Sequence, residues 1–191
     1  TSKLGGRLQP SVRVHLGLHQ GRGDMYTVRQ AQVLDAHAGL WMEGYRLRAS
    51  GSILEAAMRV LVEEEPNEGA YHLLSRGLDL LAHAQPCSGP PRHDPIVLGV
   101  HAKLLVVAGI LPQMASCVTC GSRGPLVAFS ARLGGVLCTA CEAEGGPFDA
   151  EVFEAFVRLI ETPLGAADVV IGAHAADGVE RLTASVFREH L

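Results

Sequence analysis

Cys117-Val-Thr-Cys120 and Cys138-Thr-Ala-Cys141 hold four of the chain's five cysteines in two pairs, with seventeen residues between them. A two-residue gap lets both thiolates of a pair reach one tetrahedral ion at about 2.3 Å, and an intervening loop of this length brings the second pair round to close the site. The residues between the pairs fit that task. Gly121 follows the second cysteine, where a knuckle turn requires a positive φ. Leu126-Val-Ala-Phe-Ser130 reads as a strand, Arg132-Leu-Gly-Gly135 as a turn, and Val136-Leu137 as the returning strand. The stretch is therefore read as a zinc ribbon with Cys117, Cys120, Cys138 and Cys141 as ligands. Four sulfurs fill a tetrahedron, so the ion is expected to be structural and not catalytic. Two disulfides would need an oxidising compartment, and two redox-active pairs would each call for a neighbouring βαβ pattern, which this region lacks.

Working outward, composition limits the fold. The chain has 191 residues, 48% of them apolar and 5% aromatic, so a core is available and must be filled mainly by Leu, Val and Ala. That favours helices over a β-sandwich. No signal peptide opens the sequence, and the longest apolar run, 96–110, is short and interrupted by His101 and Lys103, so no membrane span and a cytoplasmic location are expected. Cys87 is left over and is read as an unpaired bystander.

The net charge of -4 argues against a uniformly basic nucleic-acid binder. Its distribution is uneven, however. Within residues 1–31, Lys3, Arg7, Arg13, Arg22 and Arg29 oppose Asp24 alone, a local charge of +4 that leaves -8 for the remaining chain. Such asymmetry suggests one face for polyanions.

In chain order, Thr1-Ser-Lys-Leu-Gly-Gly6 has no starting Met and enters as though part-way along a loop, which implies a cut amino terminus; Leu191, with no cap, implies the same at the other end. Residues 12–19 and 25–34 read as two strands joined by Gln20-Gly-Arg-Gly-Asp24, with the Arg-Gly-Asp a Gly-rich turn and not an adhesion signal. A lone hairpin is not stable in water, so it must pair with further strands or pack on the helices C-terminal to it. Helices are expected over about 35–48, with a break at Ser50-Gly-Ser52; from about Ser52, with Ile53, Ala56, Ala57, Val60 and Leu61 inward; and over about 68–84, with Tyr71, Leu74, Leu78 and Leu81 as its stripe. Glu63-Glu-Glu65 reads as a solvated helix end. Residues 85–92 read as a loop. Asp94 is placed as N-cap, with Pro95 at the first helical position of a helix running to Ala108. That helix is apolar nearly all round and so central, with His101 as a hydrogen-bonded core residue. Beyond the ribbon, Phe148 and Phe153 should staple an N-cap at Asp149, opening a helix with Val152, Phe156, Val157 and Ile160 inward and ended by Pro163. A last helix is expected from about Asp177, burying Val179, Leu182 and Val186.

The order of these features carries a resemblance: a basic strand pair opening at Lys3 to Pro10, helices, a buried helix ending Ala108-Gly-Ile-Leu-Pro112, then Cys117-x-x-Cys-Gly121 and Gly134-Gly-Val-Leu-Cys138-x-x-Cys141. The chain resembles the RecO family of bacterial recombination mediators over nearly its whole length. The resemblance implies a mainly α fold with a small β part: a partial OB-fold, last strands only, over 1–36, then a helical domain over 37–191 carrying the four-cysteine zinc ribbon at 117–141. It also implies a non-enzymatic role in DNA repair and homologous recombination. Members bind single- and double-stranded DNA, anneal complementary strands, and act with RecR to load RecA onto DNA coated by single-strand-binding protein, which places them at the nucleoid. Lys3, Arg7, Arg13, Arg22 and Arg29 are then candidate phosphate contacts. A metal-dependent enzyme would need an open metal position and a general base, and no such motif is present. A zinc-ribbon interaction module of transcription or translation shares the ribbon, but would not call for the apolar helical body or the basic hairpin.

Overall fold

The computed structural model describes residues 5–23, 25–63, 65–166 and 170–190, with the Arg7 side chain not among them. After a 3-10 turn at Gly5–Arg7, strands β1 (Arg13–Gln20) and β2 (Tyr26–Asp35) form an antiparallel hairpin with bulges at Arg13/Val14 and Gly17/Leu18. A helical body follows: α1 (Ala38–Trp41), α2 (Gly44–Val60), α3 (Glu68–His83) and α4 (Pro95–Val107). Strands β3 (Leu126–Ser130), β4 (Gly135–Cys138) and β5 (Gly146–Pro147) make a small antiparallel sheet in the order β4-β3-β5, and α5 (Ala150–Glu161) and α6 (Ala173–Glu189) close the chain. The fold is thus mainly helical with two small antiparallel sheets.

The centre is α4, and its sequence explains why. The helix has no polar face, so the remaining helices must surround it; Val97, Leu98, Val100, Ala102, Leu104 and Leu105 are all fully buried. Helices α2, α3, α5 and α6 all contact it. Asp94 caps it, its Oδ1 accepting the Ile96 N–H at 2.9 Å, with Pro95 at the first position. Asn67 links two helix ends: its Oδ1 caps α3 through the Ala70 N–H at 2.8 Å, and its Nδ2 donates to the Val107 carbonyl at 2.9 Å where α4 ends. The staple is present too, with Asp149 accepting the Val152 N–H at 2.9 Å and the Phe148 and Phe153 rings 5.9 Å apart.

Four local expectations need correction. Ser50-Gly51-Ser52 does not break a helix; α2 runs through it, and the interruption lies at Met42-Glu43, where Glu43 is extended. Ser50 is buried and donates to the Leu47 carbonyl at 3.0 Å, so its hydroxyl is satisfied inside the helix, and burial of the flanking Ala49 and Ile53 outweighs a glycine cost of about 1 kcal/mol. On α3, Leu78 and Leu81 are buried as expected and Leu74 is half-buried, but Tyr71 is half exposed, and Ala70, Gly77 and Ala82 complete the inward stripe. On α5, Val152 and Phe156 are buried as expected, but the third buried residue is Leu159, with Val157 and Ile160 half-buried. Helix α6 starts at Ala173, earlier than expected, because its first buried positions are the small residues Ala175, Ala176 and Gly178, which make no conspicuous apolar stripe.

Candidate metal centre

Each cysteine pair sits at the end of a backbone turn. In the first, the Gly121 N–H donates to the Cys117 carbonyl and the Cys117 N–H to the Ser122 carbonyl, both at 2.8 Å, and Gly121 takes φ +75°, which a side chain would resist. In the second, the Cys141 N–H donates to the Cys138 carbonyl at 2.9 Å. The turns are joined across β4: Val118 N–H donates to the Val136 carbonyl at 2.9 Å, and Gln113 exchanges backbone hydrogen bonds with Gly134 and Val136. Ala128 and Leu137 are buried beside Cys117 and Cys138, with Val118, Leu126 and Leu133 packed around them.

This frame brings all four sulfurs within 4.8 Å of one another, Cys120 and Cys138 being 3.6 Å apart. Four sulfurs at about 2.3 Å from one ion lie roughly 3.8 Å from each other, so the cluster matches a tetrahedral thiolate site. Electrostatics make the same point. Backbone hydrogen bonds from Cys138 and Cys120 bring the Cys117 thiol down to about 6, whereas burial and then the three neighbouring sulfurs push Cys141 up to about 12. Four such groups cannot all ionise side by side without a cation, and a divalent ion removes that conflict. The four cysteines could therefore hold a metal ion, with no position left for substrate.

Cys87 does not join them. Its sulfur is 2.7 Å from the Tyr45 hydroxyl, which also donates to Asp94 at 3.0 Å. His101 is buried, its Nε2 lying 3.2 Å from the Ser52 carbonyl, and burial lowers its pKa to about 4. It is a neutral core residue. Among the described residues, two carboxylate-histidine groups were not anticipated from sequence: Asp35, His37 and Asp79, and His93, Asp177 and Glu180. Each holds one pair close in sequence, Asp35-x-His37 and Asp177-x-x-Glu180 on α6, and a third residue brought from elsewhere in the chain, Asp79 of α3 and His93 before α4.

The candidate DNA contacts are spread along the hairpin. Lys3 lies outside the described residues, and Arg7 ends the first 3-10 turn. Arg13 starts β1 opposite Asp35, half-buried, its Nε enclosed without a hydrogen-bond partner among the described residues. Arg22 is exposed in the connecting turn and Arg29 is exposed on β2 beside the second bulge. Since β1 has eight residues at about 3.3 Å each, Arg13 and Arg22 sit at opposite ends of the ribbon. The cross-strand pairs Val14/Val33, Leu16/Ala31 and Leu18/Val28 define an apolar face on which Leu16, Leu18 and Val33 are well exposed.

Comparison with known proteins decides the family. The family described as "Recombination protein O C terminal" matches residues 43–191. The chain belongs to the RecO family. It is 33% identical over 163 residues to the DNA repair protein RecO of Cutibacterium acnes, covering 84% of this chain and 65% of that protein. It is likewise 33% identical over 168 residues to that of Desulforudis audaxviator, covering 86% and 64%, and 33% identical over 148 residues to that of Thermobifida fusca, covering 75% and 58%. The chain thus spans about three-fifths of the length of these curated relatives. Among the described residues no helix is long and apolar enough to cross a membrane.

Proposed function

We propose that this chain is the larger part of a non-enzymatic DNA repair and recombination mediator: it binds single- and double-stranded DNA without sequence preference, anneals complementary strands, and with RecR helps RecA load onto DNA coated by single-strand-binding protein. The observation that carries the reading is membership of the RecO family across the helical body and ribbon. Zinc is the ion best suited to the four cysteines, as d10 Zn2+ accepts a closed tetrahedral thiolate set and supplies folding free energy there. Its role is to hold the ribbon against α4 and α5.

In this reading residues 1–36 belong to an OB-fold barrel and 37–191 to the helical domain. The exposed apolar face of the hairpin supports that assignment, since a two-stranded sheet with Leu16, Leu18 and Val33 in water would be marginal alone, and further strands would cover it. Arg22 and Arg29 are the exposed basic side chains of the hairpin and contact phosphates in this scheme; Lys3, Arg7 and Arg13 extend the same basic segment.

Fluorescence anisotropy of a labelled oligonucleotide with the full-length protein tests the proposal. Binding should fall with log salt at a slope of about -0.7 to -0.9 per phosphate contact, alike for unrelated sequences, and RecR should co-elute with the protein. Absence of both DNA binding and RecR association at moderate salt would leave a protein-interaction module as the better reading.

A further inference from the structure

His37 stands out among the described residues. It adopts a left-handed backbone conformation, φ 42° and ψ 47°, which costs a non-glycine residue on the order of 1 kcal/mol or more and is kept only where the surroundings enforce it. Its ring is almost wholly buried, with 1% of the side chain exposed. Nδ1 lies 2.7 Å from the Ser11 carbonyl, which can only accept, so Nδ1 carries the proton. In the neutral ring, Nε2 then presents a lone pair. That atom is buried without a hydrogen-bond partner among the described residues, although Asp79 Oδ1 is 3.3 Å away and Asp35 Oδ2 3.9 Å. The Asp79 oxygen is within reach but does not meet hydrogen-bond geometry, and the Asp35 oxygen is too far for one.

A proton between nitrogen and oxygen demands alignment, whereas a metal ion occupies the space between its ligands. We propose that Asp35, His37 and Asp79 form a binding site for one divalent transition-metal ion at the junction of the hairpin and the helical body. The three ligand atoms lie within 4.8 Å of one another, and bonds of about 2.1 Å place ligand atoms roughly 3 to 4 Å apart. The surroundings are those of a ligand set held in place. The ring N–H not facing the ion donates to a backbone carbonyl, as ligating histidines generally do. The other oxygen of Asp35 accepts the His37 N–H at 2.8 Å, an interaction that keeps its carboxyl ionised.

The remaining ligand is fixed by packing. Asp79 projects from α3, against which α1 lies so closely that a Cβ on Gly39 would be 2.1 Å from the Ala82 carbonyl oxygen. Arg46 bridges the same contact, donating to the Ala82 carbonyl at 3.0 Å. Both carboxylates keep more than a third of their surface in water, which leaves an entry path and room for water ligands. Arg13 and His83 are the other charged or titratable groups acting on Asp35; two carboxylates against one guanidinium still favour a cation. One imidazole and two carboxylates suit Mn2+ through Zn2+, while four thiolates suit Zn2+ and disfavour Mn2+. The ion would bolt the end of β2 to α3 and so set the pose of the hairpin.

Mn2+ titration followed by electron paramagnetic resonance of the free ion separates this site from the cysteines. With zinc-loaded full-length protein, one Mn2+ should bind per chain and be displaced by Co2+. Asp79→Asn and Asp35→Asn, both at partly exposed positions, should each weaken Mn2+ binding at least tenfold with an unchanged circular dichroism spectrum and ribbon zinc content. His37→Ala, which alters a buried strained residue, is secondary to these two. No saturable Mn2+ binding below millimolar concentration, or wild-type affinity retained in both Asn variants, overturns the proposal.

Discussion

His101 should make the stability of this protein depend on pH in a calculable way. Its ring is buried on α4, with Nε2 donating to the Ser52 carbonyl and its plane edge-on to Phe187 at 5.6 Å between centroids. Burial lowers the pKa from 6.5 to about 4, outweighing the opposing pull of the Ser52 carbonyl and the Glu55 carboxylate. A histidine whose folded pKa is depressed binds fewer protons folded than unfolded between those values. Its contribution is therefore complete above about pH 6.5 and is lost as pH falls toward 4. At about 1.4 kcal/mol per pKa unit, the loss is about 2 kcal/mol between pH 7 and 5 and about 3 kcal/mol by pH 4. Urea unfolding of wild type and His101→Gln at pH 7 and pH 5 isolates it, because titration of the other groups cancels in the difference. Glutamine can keep a donor near Ser52 but does not titrate. Wild type should lose about 2 kcal/mol more than the variant on acidification. An equal loss in both proteins would show that His101 is hydrated or already paired, and would refute the reasoning.

Replacing Cys117 or Cys138 by Ser should abolish stoichiometric zinc, measured by atomic emission on the purified protein, and loosen the ribbon, read as faster proteolysis between Pro112 and Phe148; retained zinc in either variant would remove that cysteine from the ligand set. Leu104→Ala should destabilise by about 2 to 5 kcal/mol in the same unfolding assay, since the side chain is fully enclosed by four helices. Arg22→Glu combined with Arg29→Glu should weaken binding to all oligonucleotides alike and make the salt slope shallower by about 0.7 to 0.9 for each phosphate interaction removed, with zinc content unchanged.

How much of the fold is legible in the sequence depends on how local each signal is. The four cysteines, Gly121 and the two ribbon strands lie within 25 consecutive residues, so spacing alone defines the site. Asp94-Pro95 and Phe148-Asp149-Phe153 are legible for the same reason: a cap and a staple are satisfied by neighbours in the chain. Helix α4 needs no periodicity, because an element without a polar face has only one place to go. Pattern misleads where small residues carry the packing. Ala70, Gly77, Ala175 and Gly178 are buried in their helices, yet they read as neutral in a hydrophobic stripe, which draws Tyr71 inward and starts α6 late. Ser50 and Gly51 look like a breaker until the buried environment supplies the hydroxyl with a carbonyl. The Asp35-His37-Asp79 group is invisible in sequence because it depends on a fold that brings residue 79 beside the end of β2, and on a left-handed histidine that no pattern announces. For the basic hairpin, sequence discloses the charge but not its layout, which sets Arg13 and Arg22 at opposite ends of a ribbon.

Annealing of two complementary oligonucleotides coated with single-strand-binding protein, followed by fluorescence energy transfer with and without the full-length protein, bears most directly on the mediator reading. The protein should raise the annealing rate well above that of the coated strands alone, without turnover of any cofactor, and Arg22→Glu with Arg29→Glu should reduce the gain while the fold and zinc content persist. A rate equal to that of the coated strands alone, with a folded zinc-loaded protein at saturating concentration and moderate salt, would contradict it.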